Sequence, residues 1–173
     1  VLAQTVQDFE IILVDDGSPD GSGALCDTFA GQDERIHVIH QKNTGPYGAR
    51  RTAIRFLLEH GSPEDRVVFL DADDSLKPNA LEVIRRCVEE TGADLVFLGE
   101  DQVFEGQILR PFPVDMAYTG TVTDRRLLYK IVFQDGWYNP LWKKVPALSL
   151  LPREDHPEFY PVRFGEDLLQ SIP

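Results

Sequence analysis

Twice in this chain a run of branched hydrophobic residues stops at carboxylates. Ile11-Ile12-Leu13-Val14 runs into Asp15-Asp16-Gly17-Ser18, and Val67-Val68-Phe69-Leu70 runs into Asp71-Ala72-Asp73-Asp74. A short apolar run without alternation, bounded by turn residues, predicts a strand covered on both faces, as in a parallel sheet flanked by helices. Ending two such strands in acids gathers carboxylates along the sheet edge where open α/β folds bind ligands. Clustered carboxylates repel one another unless a cation lies among them. The pattern therefore points to a divalent metal and metal-assisted chemistry.

The rest of the periodicity fits that frame. Strands are expected at residues 10–15, 36–39, 67–71 and 95–98. Helices are expected at 22–30, 49–59 and 79–91, the last two stopped by Gly61 and Gly92. Strand–helix alternation of this kind implies right-handed parallel crossovers in a doubly wound, mostly parallel sheet. Beyond Gly99 the pattern weakens into extended segments and turns over 100–122, with a helix expected at 123–132 behind Thr123. The reading is one domain, 1–173, with a nucleotide-binding half at 1–99 and an acceptor-side half at 100–173. The only methionine is Met116, and the opening Val1-Leu2-Ala3-Gln4 reads as the tail of a helix. The domain is therefore expected to be cut short at its N-terminus, and at its C-terminus as well.

With 173 residues the chain can build a real core. Its formal net charge of −12 argues against a nucleic-acid partner, which needs a surplus of Lys and Arg. A phosphorylated small molecule stays compatible, since a metal can supply the local positive charge. No apolar run is long enough to span a bilayer. Cys26 and Cys87 each fall in an apolar helical stripe and read as buried reduced thiols of a cytosolic protein. The spacing of His37, His40, His60 and His156 suggests no metal ligation, and all four read as structural or surface residues.

Four constellations carry chemistry. At Asp15-Asp16-Gly17-Ser18-Pro19-Asp20, helix capping accounts for Ser18 or Asp20 but poorly for two adjacent acids, since one cap suffices. Asp71 and Asp73, two apart in a turn, can reach one Mg²⁺ or Mn²⁺ from one side, with waters or substrate phosphates completing the shell. The plain alternative is a solvated acidic turn capping helix 79–91. In Asn43-Thr44-Gly45-Pro46-Tyr47-Gly48-Ala49-Arg50-Arg51 a glycine-rich loop leads into a helix N-terminus, which favours anions. A plain loop with surface arginines explains it equally well. Glu166-Asp167 sits at an expected helix start and could serve either the helix dipole or a general base. Trp137 and Trp142 suit a sugar ring as well as a core.

Together these blocks resemble glycosyltransferase family 2, the inverting enzymes of the GT-A, Rossmann-like nucleotide-diphospho-sugar transferase fold. Residues 4–18 are similar to that family's opening block, and Asn43-x-Gly45-x-x-x-Ala49-Arg50 to its second. Asp71-Ala72-Asp73-Asp74 resembles its Asp-x-Asp motif, and Gly165-Glu166-Asp167 its terminal Glu-Asp motif. Order and spacing agree over nearly the whole chain.

The resemblance implies roles. Asp15 and Asp16 would contact the nucleotide, with Asn43, Gly45 and Arg50 nearby. Asp71 would lie at the ribose or metal, and Asp73 would ligate the Mn²⁺ or Mg²⁺ bridging the diphosphate. Asp167, with Glu166 beside it, would be the base, and Trp137 and Trp142 would lie on the acceptor side. The implied activity is inverting transfer from a nucleotide-sugar, with a UDP-sugar the expected donor, to a glycan or lipid-linked acceptor in cell-surface polysaccharide synthesis. The expected setting is cytoplasmic, with peripheral association at the inner membrane face. The oligomeric state is left open. The sequence departs from the family pattern at three places: the first strand with its nucleotide-contacting loop is absent, Arg51 stands where Asn is usual, and Asn139 is followed by Pro140.

Two folds compete on the same acids. A receiver-type switch phosphorylated at Asp71 would need a Lys at a later strand end, and none follows residues 95–98. A haloacid-dehalogenase-like phosphatase would want Thr or Val where Ser75 stands. A non-catalytic sugar-nucleotide binding module shares every acidic site with the enzyme.

Overall fold

The computed structural model describes residues 1–112 and 143–154. Strand β1, Ile11–Asp15, pairs in parallel with β2, Ile36–His40, in the register Ile11 to Ile36 through Asp15 to His40. Helix α1, Ser22–Ala30, connects them. Two parallel strands joined through a helix form the expected crossover unit. Both strands therefore end side by side at Asp15 and His40.

Helix α2, Gly45–His60, starts four residues before the expected position, inside the stretch read as a loop. Pro46 in its first turn is tolerated there, because the N–H it lacks has no intrahelical partner. Tyr47, Arg51 and Ile54 form its buried stripe. Helix α3, Ala80–Thr91, ends on Gly92 in the left-handed conformation, whose N–H donates to the Val88 carbonyl at 2.8 Å. Its own cap residue Asn79 makes no side-chain cap bond. Gln4, 5% exposed, does so instead: its Oε1 accepts the Leu81 N–H at 3.0 Å while its Nε2 donates to the Lys77 carbonyl at 2.7 Å.

Residues 67–70 lie between the two helices. Val67 and Phe69 pack with Ile54, Leu57, Leu58, Leu148 and Leu151, while Val68 packs with Ile84, Val88, Val96 and Val145. Val67, Val68 and Phe69 are thus covered from both sides, while Leu70 at the end of the run is exposed. The segment does not form the expected hydrogen-bonded third strand. The Val67 N–H donates to Pro146 and Arg66 bridges Ala147, but no ladder continues through Leu70 among the described residues. Among the described residues no strand runs alongside it beyond Arg66.

The fourth strand, β3, Leu95–Phe97, pairs antiparallel with β6, Lys144–Pro146, rather than joining a continuous parallel sheet. Between them in sequence, β4, Glu100–Phe104, and β5, Gln107–Phe112, form a hairpin turned at Glu105 and Gly106, both with positive φ. A 3₁₀ turn, Leu148–Leu150, brings Leu148 under α2. The helix expected at 123–132 falls outside the described residues.

Cys87 packs against the core beside α3 but, like Cys26, is half-buried rather than buried as expected. The α1 stripe behaves differently: Leu25 and Phe29 are 56% and 42% exposed. Apolar periodicity there marks the helix without marking a buried face among the described residues.

Ile54, fully buried between α2 and residues 67–70, carries the first core. Ile54→Ala should lower the free energy of unfolding by about 2–5 kcal/mol in urea titration, whereas Leu25→Ala should stay within about 0.5 kcal/mol.

Candidate active site

The site grows from the ends of β1 and β2. Asp16 follows β1 directly and turns its carboxylate onto the start of α2. Its Oδ1 accepts the Thr44 N–H at 2.9 Å, the Thr44 hydroxyl at 3.2 Å and Gln41 Nε2 at 2.7 Å, and its Oδ2 accepts the Gly45 N–H at 2.9 Å. The helix's own cap residue, Thr44, makes no side-chain cap bond. An acid 28 residues upstream therefore satisfies the Thr44 and Gly45 N–H groups and meets the positive end of the helix dipole. Gly17 makes the approach possible. Its φ is +70°, and a Cβ there would sit 3.0 Å from the Asn43 nitrogen and 3.2 Å from the Gln41 carbonyl oxygen. Asn43 is exposed beside this turn.

Asp15 has a different job. Its Oδ1 accepts the Ser18 N–H at 3.0 Å, and its Oδ2 meets His40 Nδ1 at 3.0 Å. The His40 bond first, and the Ser18 bonds next, hold its pKa down at about 2. The other ring nitrogen of His40 lies 2.9 Å from Asp27 Oδ1 on α1. The two neighbouring acids that no single cap could explain thus serve two separate networks. Asp20, which accepts the Ser22 N–H at 2.9 Å at the start of α1, is the structural cap.

In the second turn of α2, Arg50 Nη2 lies 3.0 Å from Asp71 Oδ1. This ion pair joins the second sequence block to the third. Arg51, adjacent in sequence, is fully buried and donates to the Pro152 carbonyl at 2.7 Å, so the two arginines do not form one surface cation cluster. Past Asp71, the Asp74 N–H donates to the Asp71 carbonyl at 3.0 Å and closes a turn with Ala72 and Asp73 at its corners. Asp73 is exposed. Partial burial, and then the negative charges of Asp73, Asp71 and Glu100, push the Asp74 pKa up. Around this acidic mouth, Glu100 pairs with the mostly buried Lys143 at 3.1 Å and Asp101 with Lys77 at 2.6 Å.

The donor set here is carboxylate oxygen, which suits a hard divalent cation, and the repulsion felt by Asp74 is what such a cation would relieve. Among the described residues no three His, Cys, Asp or Glu side chains converge tightly enough to hold a metal by themselves. The residues therefore fit an ion held by Asp73 and Asp71 that takes its other ligands from water or bound phosphates.

Glu166, Asp167, Trp137 and Trp142 lie outside the described residues. Gln41 and Glu100 carry no signal in the sequence, and Gln4, Thr44 and His40 carry none for the roles they take here. Each acts on a partner far along the chain, and only Pro46 gave a local signal that a helix started early at Gly45. Of the other histidines, His37 lies 3.4 Å from Glu10, and His60 stacks on Phe56 with ring centroids 4.2 Å apart.

Comparison with known proteins decides the family. The model for glycosyl transferase family 2 matches residues 1–146, most of the chain.

This chain belongs to glycosyltransferase family 2.

Its α/β architecture is accordingly of the GT-A type, and the receiver and phosphatase readings lose their footing. Among its relatives, the glycosyltransferase GlyG of Streptococcus pneumoniae is 42% identical over 96 residues, covering 56% of this chain and 31% of that protein. The cholesterol galactosyltransferase of Borreliella burgdorferi is 30% identical over 159 residues, 86% of this chain and 42% of that protein. The undecaprenyl-phosphate mannosyltransferase of Micrococcus luteus is 37% identical over 109 residues, 62% and 43% of the two chains. The chain spans less than half the length of these relatives. No helix among the described residues is long and apolar enough to cross a membrane.

The capping role of Asp16 is testable apart from any ligand. Asp16→Ala should cost about 1–2 kcal/mol of stability in urea titration, the usual loss when a helix N-terminus gives up a side-chain acceptor. Asp16→Asn, which keeps one acceptor oxygen, should cost less.

Proposed function

We propose that this family 2 domain transfers a sugar from a nucleotide-sugar, with a UDP-sugar as donor, to a glycan or lipid-linked acceptor, with inversion at the anomeric carbon. The observation that carries the reading is the Arg50–Asp71 ion pair. It draws the Asp-x-Asp block to a helix whose start is held by Asp16, so three of the four sequence blocks meet on α2. The lipid-linked acceptor draws support from two relatives whose names include cholesterol and undecaprenyl phosphate. A cytoplasmic setting at the membrane face goes with such an acceptor.

In this mechanism Asp15, Asp16, Asn43, Gly45 and Arg50 bind and orient the nucleotide. Asp71 lies at the ribose or metal, and Asp73 and Asp71 would hold Mn²⁺ or Mg²⁺. When bound, the ion supplies Lewis-acid stabilisation for the departing nucleoside diphosphate. Asp167, with Glu166 beside it, takes the proton of the acceptor hydroxyl as that oxygen attacks the anomeric carbon. A carboxylate is a weak base toward an alcohol, so the proton moves late, as the new bond forms. Trp137 and Trp142 line the acceptor side.

Calorimetry on the whole chain tests the reading. UDP should bind in the presence of Mn²⁺, and Asp73→Ala should remove the metal-dependent part of that binding. Asp167→Ala should leave UDP binding intact while lowering turnover by roughly 10²–10⁴-fold. Failure of UDP to bind with Mn²⁺ present would overturn the proposal.

A further inference from the structure

His40 belongs to none of the four motif blocks, yet it sits where the two parallel strands end. Its Nδ1 lies 3.0 Å from Asp15 Oδ2 on β1, and its Nε2 lies 2.9 Å from Asp27 Oδ1 on α1. A neutral imidazole carries one N–H and one lone pair, and an ionised carboxylate cannot donate. Both contacts are hydrogen bonds only when the ring is an imidazolium.

The cluster is closely built. A Cβ on Gly23 of α1 would fall 2.6 Å from Asp15 Oδ2 and 3.4 Å from His40 Cε1, so α1 comes this close only because residue 23 is glycine. The carboxylate that His40 grips also accepts the Ser18 N–H, on the far side of the turn that begins at Asp16.

We propose that His40 is a positioning residue. As an imidazolium it clamps the end of β1 to α1 through Asp15 and Asp27, and so fixes the Asp16-Gly17-Ser18 turn for the nucleotide. This rests on the reading of that turn as a nucleotide contact. Loss of the proton to solvent turns one of the two hydrogen bonds into a lone pair facing a carboxylate, and the tie between strand and helix is halved.

Among the described residues the titratable groups that face His40 are Asp15 from β1 and Asp27 from α1. Cys26, also on α1, has its thiol pushed up by burial and by both of these acids, and Asp20 senses Asp15. Asp15, held near 2, stays ionised throughout the neutral range. The bonds to Asp15 first and Asp27 next raise the pKa of His40 above its ordinary 6.5. For a group raised in the folded state, the contribution is complete below the unfolded value and disappears as pH climbs through the folded one. The clamp is therefore closed in mildly acidic solution and opens on the alkaline side of 6.5.

Ring titration of His40 by NMR in the whole chain, with the amide shifts of Gly17 and Ser18 followed alongside UDP–Mn²⁺ affinity, tests this. The Ser18 amide should titrate with His40, and affinity should fall across the same pH range. His40→Gln should bind UDP about fivefold more weakly at pH 6, a coupling at the low end of the usual range, and its affinity should no longer follow pH. His40→Arg keeps the charge and both donors, and should restore tight binding at every pH. A Ser18 amide that ignores the His40 titration overturns the clamp. So does a His40→Gln chain with the unaltered affinity and pH profile, and in both cases the nucleotide reading survives. Absence of UDP binding in the unaltered chain at all pH values overturns the nucleotide reading and the positioning role with it.

Discussion

The start of α2 is a helix end that its own residues cannot satisfy. Thr44 offers no side-chain cap, and the first turn presents bare N–H groups beside Pro46, which has none to give. The Asp16 carboxylate closes that end from the adjoining strand. Much of the site depends on this one contact. It sets where α2 begins, and α2 in turn carries Arg50 to Asp71 and drives Ile54 into the core beside residues 67–70. A change at Asp16 would therefore reach the Asp-x-Asp block, on a segment it does not touch, through the helix between them.

That coupling explains why the acidic blocks divide their labour. Four carboxylates with equivalent surroundings would repel and partly neutralise one another. Here three of them have distinct partners: His40 and Ser18 for Asp15, a helix N-terminus for Asp16, Arg50 for Asp71. Around Asp74 the neighbouring charges of Asp73, Asp71 and Glu100 add to partial burial in raising its pKa. The positive charges of Lys143 and Lys77 are taken by Glu100 and Asp101 at the neighbouring hairpin, so they frame the acidic mouth without neutralising it.

Much of the fold was legible in local pattern. The unbroken apolar run at 67–69 correctly announced a segment covered from both sides, because burial on two sides demands hydrophobicity at every position, whereas Ile11–Val14 are only half-buried and Leu70 is exposed. The stripe of α3 and its Gly92 stop were equally plain. The pattern misled where burial and hydrogen bonding part company. Residues 67–70 are packed like a strand without a ladder, since apolar character reports what covers a segment and says nothing of who lies beside it. Leu25 and Phe29 keep helical spacing yet face outward, for the same reason.

The sequence by itself determined the family, the order of its motif blocks and the placement of most helices and strands, because these rest on residues within a turn or two of each other. Tertiary structure alone decided which acid caps a helix, that Arg51 is buried while Arg50 is paired, and that His40 stands between two carboxylates. Those outcomes hang on hydrogen bonds between residues 13 to 101 positions apart. Such contacts form only once packing has brought β1, β2, α1 and α2 together, and no local periodicity records them.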